Sequence, residues 1–278
     1  MMRPMSAKHP FSLQGRRVLI TGASSGIGAE LARQAKARGA TLLCQGRDPA
    51  RTQDLADEVG GQAFLCDLRE PEARRNLARR ASPIDVGVWN AGVLIGGPLE
   101  QQSEERIPDL LRLNLEAPLH LSRLFAKGLL ERGGRLVLVS SGVALLPLPY
   151  CTVYGASKTG LTDFGRALNL EWEHQGRSAR VLVAHPGATD TPMLGHLDSK
   201  AAKKLGSPKK SPKGVARGIL DALEAGESEW SAGGPLPLFE RIFRAFPRFA
   251  KKRVLGRAGT LAQFFRGTEE GARAQTEP

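Results

Sequence analysis

A doubly wound parallel α/β sheet is the fold this sequence predicts, and three observations predict it. Short apolar runs alternate with helical segments from residue 16 to about residue 235. The runs are almost entirely Val, Leu, Ile and Ala, without the polar alternation of a half-exposed sheet, so helices must cover both faces. A glycine-rich turn, "TGASSGIG" (21–28), joins the first run to the first helical segment.

The elements follow in order. "RRVLIT" (16–21) reads as the first strand and "GIGAELARQAKARG" as an amphipathic helix ending at Gly39. "ATLLCQG" (40–46) is the second strand, 51–59 is helical, and "QAFLCD" (62–67) is the third strand. A basic helix over 70–81 leads to a fourth strand, "IDVGVWN" (84–90). Residues 103–130 form two helices or one bent one, with Pro108 near the start. "GRLVLVS" (134–140) is the fifth strand, 153–174 a long helix, and "ARVLVAH" (179–185) the sixth strand. Residues 211–225 read as helical, and "SEWSAG" offers a short seventh strand.

No internal repeat and no linker interrupt 16–235, so one domain is expected there, with an N-terminal arm (1–15) and a tail (236–278). The 22 residues between Arg135 and Lys158 carry no charge, but Pro147, Pro149, two Gly and four Ser/Thr make them a buried strand plus loop rather than a membrane span. The N-terminus has no apolar core of signal-peptide length. Cys44, Cys66 and Cys151 lack disulfide or metal spacing, so a reducing compartment and no metal are expected. Cys151 reads as an unreactive thiol.

Sheets of this kind bind ligands beyond the carboxyl ends of their strands. The glycine turn stands at such an end. Gly22 permits the tight turn, Gly26 lets a pyrophosphate approach the backbone, and Gly28 allows close helix packing; the first amides of the helix then face the anion. The second strand ends Gly46-Arg47, where an NAD site usually carries a carboxylate. Arg47 can pair with the 2′-phosphate of NADP, and Ser24 can add a hydroxyl, so NADP(H) is favoured over NAD(H). Asp67 either accepts from the adenine amino group or caps a helix.

Tyr154 and Lys158 are four residues apart on one helix and share a face. A phenol titrates near pH ~10, and bringing it to ~7 takes about 4 kcal/mol. An ammonium ~5 Å away at an effective dielectric of ~20 supplies about 3 kcal/mol. The pair is therefore expected to move a proton at a carbonyl or alcohol oxygen. Ser140 and Ser141 close the preceding strand, and the thirteen residues from Ser141 to Tyr154 favour Ser141 as the partner.

These residues, together with Asn90-Ala91-Gly92, Asn114, Pro186-Gly187 and Thr191, stand in an order that resembles the short-chain dehydrogenases/reductases over about 16–235. The resemblance implies a Rossmann fold and a proton relay. It makes Tyr154 the acid/base and has Lys158 lower its pKa and hold the nicotinamide ribose. It gives Ser141 the substrate oxygen, and Asn114 a helix bend and an ordered water. Cofactor contacts are implied for Gly22, Ser24, Ser25, Gly26, Ile27, Gly28, Arg47, Asp67, Asn90, Ala91, Gly92, Tyr154, Lys158, Pro186, Gly187, Thr189 and Thr191. The long helix implies a dimer or tetramer. Three features depart from the family pattern: Trp89 precedes Asn90, His185 precedes Pro186, and 44 residues follow Ser231-Ala232-Gly233-Gly234. His185 is expected to be structural.

The net charge is +12, and 14 basic against 5 acidic residues fall in 200–257. Such a field fits an acidic partner: an anionic membrane surface or an acidic carrier protein. In the tail, Phe239, Ile242, Phe243 and Phe246 repeat at helical spacing among Arg241, Arg244 and Arg248. It either packs on its own domain, meets a membrane interface, or binds a partner protein. Lysines in 199–217 border the expected substrate entrance, "PMLGHL" (192–197) is a candidate lid, and the last residues lack any ordering pattern. No nucleic-acid recognition motif is present. The expected protein is a cytoplasmic NADP(H)-dependent oxidoreductase of a lipophilic ketone or secondary alcohol, with peripheral membrane association as an option. A carrier-linked 3-ketoacyl reductase and a silent NADP-binding scaffold are the alternatives.

Overall fold

The computed structural model describes residues 10–194, 209–232, 245 and 247–265. Seven parallel strands form one sheet in the order β3-β2-β1-β4-β5-β6-β7. They are β1 (Arg17–Thr21), β2 (Thr41–Gly46), β3 (Gln62–Leu65), β4 (Val86–Trp89), β5 (Arg135–Val139), β6 (Arg180–His185) and β7 (Glu229–Ser231). The chain winds outward to β3, returns to the centre, and winds the other way from β4. The strand order therefore reverses between β1 and β4, where a crevice opens at the carboxyl ends.

Both sheet faces are buried, as the uninterrupted apolar strands require. Side chains alternate between two cores: Val18, Ile20, Val86 and Val88 point to one, and Leu19, Leu136, Leu138 and Val183 to the other. The first core is closed by α1 (Gly26–Ala37), α2 (Pro49–Glu58) and α7 (Pro212–Glu224). The second is closed by α3 (Pro71–Ala81), α5 (Ala117–Arg132) and α6 (Thr152–His174). Each Leu or Phe side chain buried in these layers contributes roughly 1.5–3 kcal/mol. Arg38 ties α1 to α7 with contacts of 2.6 Å to both Asp221 and Glu224.

Local chemistry sets the boundaries. Asp48 accepts from Arg51 N at 3.0 Å and Pro49 opens the first turn, so α2 starts two residues earlier than its apolar pattern indicates. Residues 106–132 make one bent rod: α4 (Arg106–Leu111), a π-helical turn (Arg112–Glu116), then α5, which stops at the left-handed Gly133. The uncharged stretch becomes β5, a 3₁₀ turn (Gly142–Leu145) and the start of α6. Gly165 lets α6 lie close on the sheet, since a Cβ there would stand 2.6 Å from Val183 Cγ2.

Two terminal segments pack differently from a free arm and tail. Phe11 and Leu13 are buried in the first core, and Phe11 N donates to Glu224 O at 2.9 Å. At the other end, α8 (Pro247–Leu255) and α9 (Ala258–Phe265) follow each other, and α9 is anchored by buried Leu261 and Phe265. The Phe239–Phe246 repeat, residues 195–208 and the last thirteen residues lie outside the described residues. Among the described residues, no helix is long and apolar enough to cross a membrane, and no cluster of acidic, His or Cys side chains could hold a metal ion.

Candidate active site

The glycine turn lies at the reversal point. Gly22 adopts φ +63, and a Cβ on it would stand 2.8 Å from Ala91 Cα. The turn and the loop after β4 thus touch backbone to backbone. Gly26 adopts φ +55, and its Cβ would meet Thr191 Cγ2 at 2.9 Å. The bare Cα of Gly26 therefore admits a protein side chain as well as leaving its backbone approachable. α1 begins without a side-chain cap on Ser25 and without an acid in its first turn, so no acid of its own first turn competes for its N-terminal amides. Ser24 is half-buried, and Ile27 packs partly on the first core.

Three side chains hold this turn. Asn90 Nδ2 donates to Thr21 O and Gly22 O, both at 3.1 Å. Thr21 Oγ1 accepts from Asn90 N at 3.0 Å and Ala91 N at 3.2 Å. Gln45, which sequence reasoning passes over, accepts from Gly22 N at 3.2 Å and donates to Cys66 O at 2.8 Å. Its signal was there to read: one buried amide inside the apolar run of β2.

At the end of β2, an Arg47 guanidinium nitrogen lies 3.8 Å from Asp67 Oδ2. Asp67 also pairs with Arg69 at 2.6 Å and accepts from Arg69 N at 2.9 Å, while α3 takes Glu70 as its N-cap residue. Asp67 therefore does not cap α3. Burial pushes its carboxyl up, but Arg69 and then Arg47 outweigh that and leave it below the ordinary range. Arg69 also pairs with Asp109 at 2.9 Å, so the two arginines of this corner meet two carboxylates.

On the other side of the crevice, α6 carries Tyr154 and Lys158 to the end of β5. Lys158 Nζ donates to Val139 O at 2.9 Å and lies 5.8 Å from the Tyr154 ring centroid. Ser141 hydrogen-bonds the Tyr154 phenol, and its Oγ accepts from Val143 N at 3.3 Å. Ser140 points the opposite way, donating to Lys158 O at 2.9 Å and bonding Thr162 Oγ1 at 2.8 Å. Ser140 thus locks strand to helix, and Ser141 faces the phenol. Asn114, fully buried in the π-helical turn, bridges Val93 N and O at 2.8 Å each. Gly92 brings the two halves together: a Cβ there would lie 3.1 Å from Asn114 Oδ1 and 3.6 Å from Lys158 Nζ.

The electrostatics correct one expectation. Lys158 was expected to make the phenol more acidic. Among the chain's own groups, burial dominates and raises the Tyr154 phenol above its ordinary value, with the Ser141 hydrogen bond opposing only in part. Burial also lowers Lys158 to about 8. One N–H of the ammonium donates to Val139 O, and the direction of the phenol's shift is set by burial, then the Cys151 thiol, against Ser141. At neutral pH the site presents a protonated Tyr154 beside a charged Lys158. Burial pushes the Cys151 thiol up to about 12, which makes it unreactive.

The loop after β6 completes the crevice. Pro186 O accepts from Gly142 N at 2.9 Å, and Thr189 Oγ1 donates to Gly187 O at 2.9 Å. Lys210 pins this loop through backbone bonds of 2.8 Å to Ala188 and Asp190. Thr191 leads into a 3₁₀ turn, Pro192–Leu194, where the candidate lid begins; its remainder lies outside the described residues. His185 is buried, with Nδ1 3.3 Å from Ser141 O and Nε2 3.5 Å from Glu229 Oε2. It connects the Ser141 backbone to the Glu229–Arg166 ion pair. All the candidate residues except Tyr154, Lys158 and Asn114 stand on loops beyond strand ends or on the first turn of α1.

A family model described as short chain dehydrogenase matches residues 16–202. A fatty acyl-CoA reductase of Mycobacterium tuberculosis is 39% identical over 202 residues, 68% of each chain. A short chain dehydrogenase from Burkholderia cenocepacia, solved in complex with NADP, superposes with a TM-score of 0.76 at 25% identity, covering 88% of this chain and 99% of that one. A family member from Burkholderia phymatum, solved with NAD, shares the fold at TM-score 0.75 and 20% identity, over 86% and 96% of the two chains. Together with the crevice at the β1/β4 reversal, these likenesses establish that the chain belongs to the short-chain dehydrogenase/reductase family of oxidoreductases.

Proposed function

We propose that this protein is an NADP(H)-dependent reductase of lipophilic ketones, with Tyr154 as proton donor. The observation that carries the reading is the convergence of Tyr154, Ser141 and Lys158 at the end of β5, facing the glycine turn across the crevice. The uncapped start of α1 and the Arg47 guanidinium at the end of β2 fit a phosphate-bearing dinucleotide. When bound, the nicotinamide supplies the hydride.

The chain's own residues do the rest. Ser141 Oγ, positioned on the 3₁₀ turn, donates to the substrate carbonyl oxygen. Tyr154, held protonated by burial, transfers its proton to that oxygen as negative charge develops. Lys158 stabilises the phenolate that results and orients the ribose, and Asn114 holds the helix bend from which a water replenishes the proton. Burial keeps the proton on Tyr154 at neutral pH but makes the phenol a weaker acid, so its transfer relies on the negative charge developing on the substrate oxygen and on the Lys158 ammonium beside it.

Lipophilic substrates are supported by the apolar cluster around Tyr154, which includes Leu94, Ile95, Leu110, Val143 and Met193. The mycobacterial relative, a fatty acyl-CoA reductase, agrees with that class. The preference for NADP(H) rests on Gly46-Arg47. We place an anionic membrane surface against the exposed cationic face of α8, where Arg248, Lys251, Lys252 and Arg253 flank Phe249. A second reading, a ketoacyl reductase using carrier-linked substrates, draws on Lys209 and Lys210 beside the crevice. Thioesters offered free and carrier-bound separate the two.

The test is loss of NADPH absorbance with a panel of ketones and aldehydes. The wild-type chain should turn over at least one long-chain carbonyl. Tyr154→Phe should lower kcat by about 10²–10⁴ while retaining NADPH binding. Binding without turnover by the wild-type chain would make it a scaffold and overturn the proposal.

A further inference from the structure

The last described helix joins the reaction centre rather than the sheet. Leu261 and Phe265, four residues apart on one face of α9, are only 5% and 4% exposed. They belong to one apolar cluster with Leu94, Ile95, Leu110, Cys151 and Tyr154, and Phe264 packs against the same cluster. Contact is close at Gly96, where a Cβ would stand 2.6 Å from Phe265 Cδ1. The loop after β4 is thus bare where the Phe265 ring lies on it.

These partners are not those of a helix that merely covers a core. The sheet's two cores are closed by other helices and share no buried member with this cluster; Val93 packs against both it and the second core. Apart from Leu110 on α4, the cluster's buried members outside α9 stand on the loop after β4 and at the start of α6, and Phe265 lies directly on that loop at Gly96. Within the cluster's buried members, the Tyr154 phenol is the only strong hydrogen-bonding side chain. A substrate whose carbonyl meets that phenol and Ser141 has the apolar side chains of this cluster beside it. A cleft of about 530 Å³ beside it, lined by Val143, Leu145, Leu148 and Cys151 among others, extends the apolar surface.

We infer that α9 is a wall of the chamber receiving the apolar part of the substrate, and that Leu261 and Phe265 select substrates carrying a long hydrocarbon chain. This rests on the reading of Tyr154 as proton donor. Each methylene that reaches the wall strengthens transition-state binding about 4-fold. A short ketone touches the phenol without reaching α9.

The experiment measures kcat/KM for a series of 2-alkanones of increasing chain length, with NADPH, in the full-length chain. The wild-type value should climb steeply with length. In the Leu261→Ala/Phe265→Ala double variant, the long-chain to short-chain ratio should fall at least about 10-fold, mostly through KM; that ratio corresponds to ~1.4 kcal/mol. Leu261→Trp should shift the optimum to shorter chains, which keeps the test open if the double variant folds poorly. Gly259→Ala, on an exposed position with open space around its Cα, should keep the ratio. A purely structural role lowers both activities together and leaves the ratio in place, and that result overturns the wall. A wild-type enzyme that reduces ketones irrespective of length also overturns it while leaving the proposed function standing. A wild-type chain that reduces no carbonyl defeats both.

Discussion

Replacing Lys158 should disable the enzyme and stabilise the protein. The ammonium is 4% exposed, and burial lowers its pKa from 10.5 to about 8. At about 1.36 kcal/mol per pKa unit, holding that charge inside costs about 3 kcal/mol at neutral pH. Lys158→Met removes the cost and fills the same space. It also strips Val139 O of its 2.9 Å hydrogen bond, a loss of about 1 kcal/mol. The net gain is about 2 kcal/mol at pH 7, or roughly 5 °C in Tm for a domain of this size.

The sign follows from proton uptake. Below pH 8 the lysine is charged in both folded and unfolded chains, so the burial cost is fully present. Between about 8 and 10.5 the folded chain releases its proton first, and wild-type stability rises with pH relative to the variant. Urea unfolding of both chains, without added cofactor, at pH 7, 8.5 and 10 tests this. The gap should be widest at pH 7 and shrink steadily. A variant less stable than wild type at pH 7, or a gap indifferent to pH, refutes the claim that burial of the ammonium is costly. The reason to retain an expensive charge is then catalytic, which is the trade-off expected at an active site.

Arg47→Asp should weaken NADPH binding about 10–100-fold, the value of a charge-assisted contact, and leave NADH binding less affected; an unchanged ratio in fluorescence titrations removes Arg47 from the phosphate site. Glu229 is held near 2 by His185 and Arg166. Its carboxylate therefore stabilises the fold above about pH 4.5, and the benefit disappears as pH falls toward 2. With its side chain 40% exposed, solvent screening leaves about 1 kcal/mol, so Glu229→Gln should be that much less stable at pH 7, with the difference shrinking steadily below about pH 4.5 toward pH 2. An undiminished difference in acid argues against the ion pair. Gly22→Ala places a methyl 2.8 Å from Ala91 Cα at a positive φ and should cost at least about 2 kcal/mol, read as a lower Tm and weaker cofactor binding.

Much of the fold was legible because each apolar run reports both its partners and its burial. A strand covered on two faces cannot carry polar alternation, so "RLVLV" and "RVLVAH" announced a parallel sheet. The glycine turn and the Tyr154–Lys158 spacing were legible because local geometry forces them: a tight turn needs positive φ, and one helical turn places residues four apart on one face. The choice between Ser140 and Ser141 needed the structure, since only the twist at the end of β5 decides which hydroxyl faces α6 and which faces the phenol. Gln45 was legible as a buried amide, but its role needed the structure because its partners, Gly22 and Cys66, lie just past the ends of the neighbouring strands β1 and β3.

Sequence alone determined the strand order's ingredients, the glycine turn and the Tyr154–Lys158 pairing on one helix face, because those depend on contacts within a few residues. Tertiary structure decided what surrounds them. The direction of the Tyr154 shift depends on how completely the phenol is buried, which no spacing encodes. The place of α9 beside Tyr154 depends on Phe265 finding bare backbone at Gly96, 169 positions earlier in the chain.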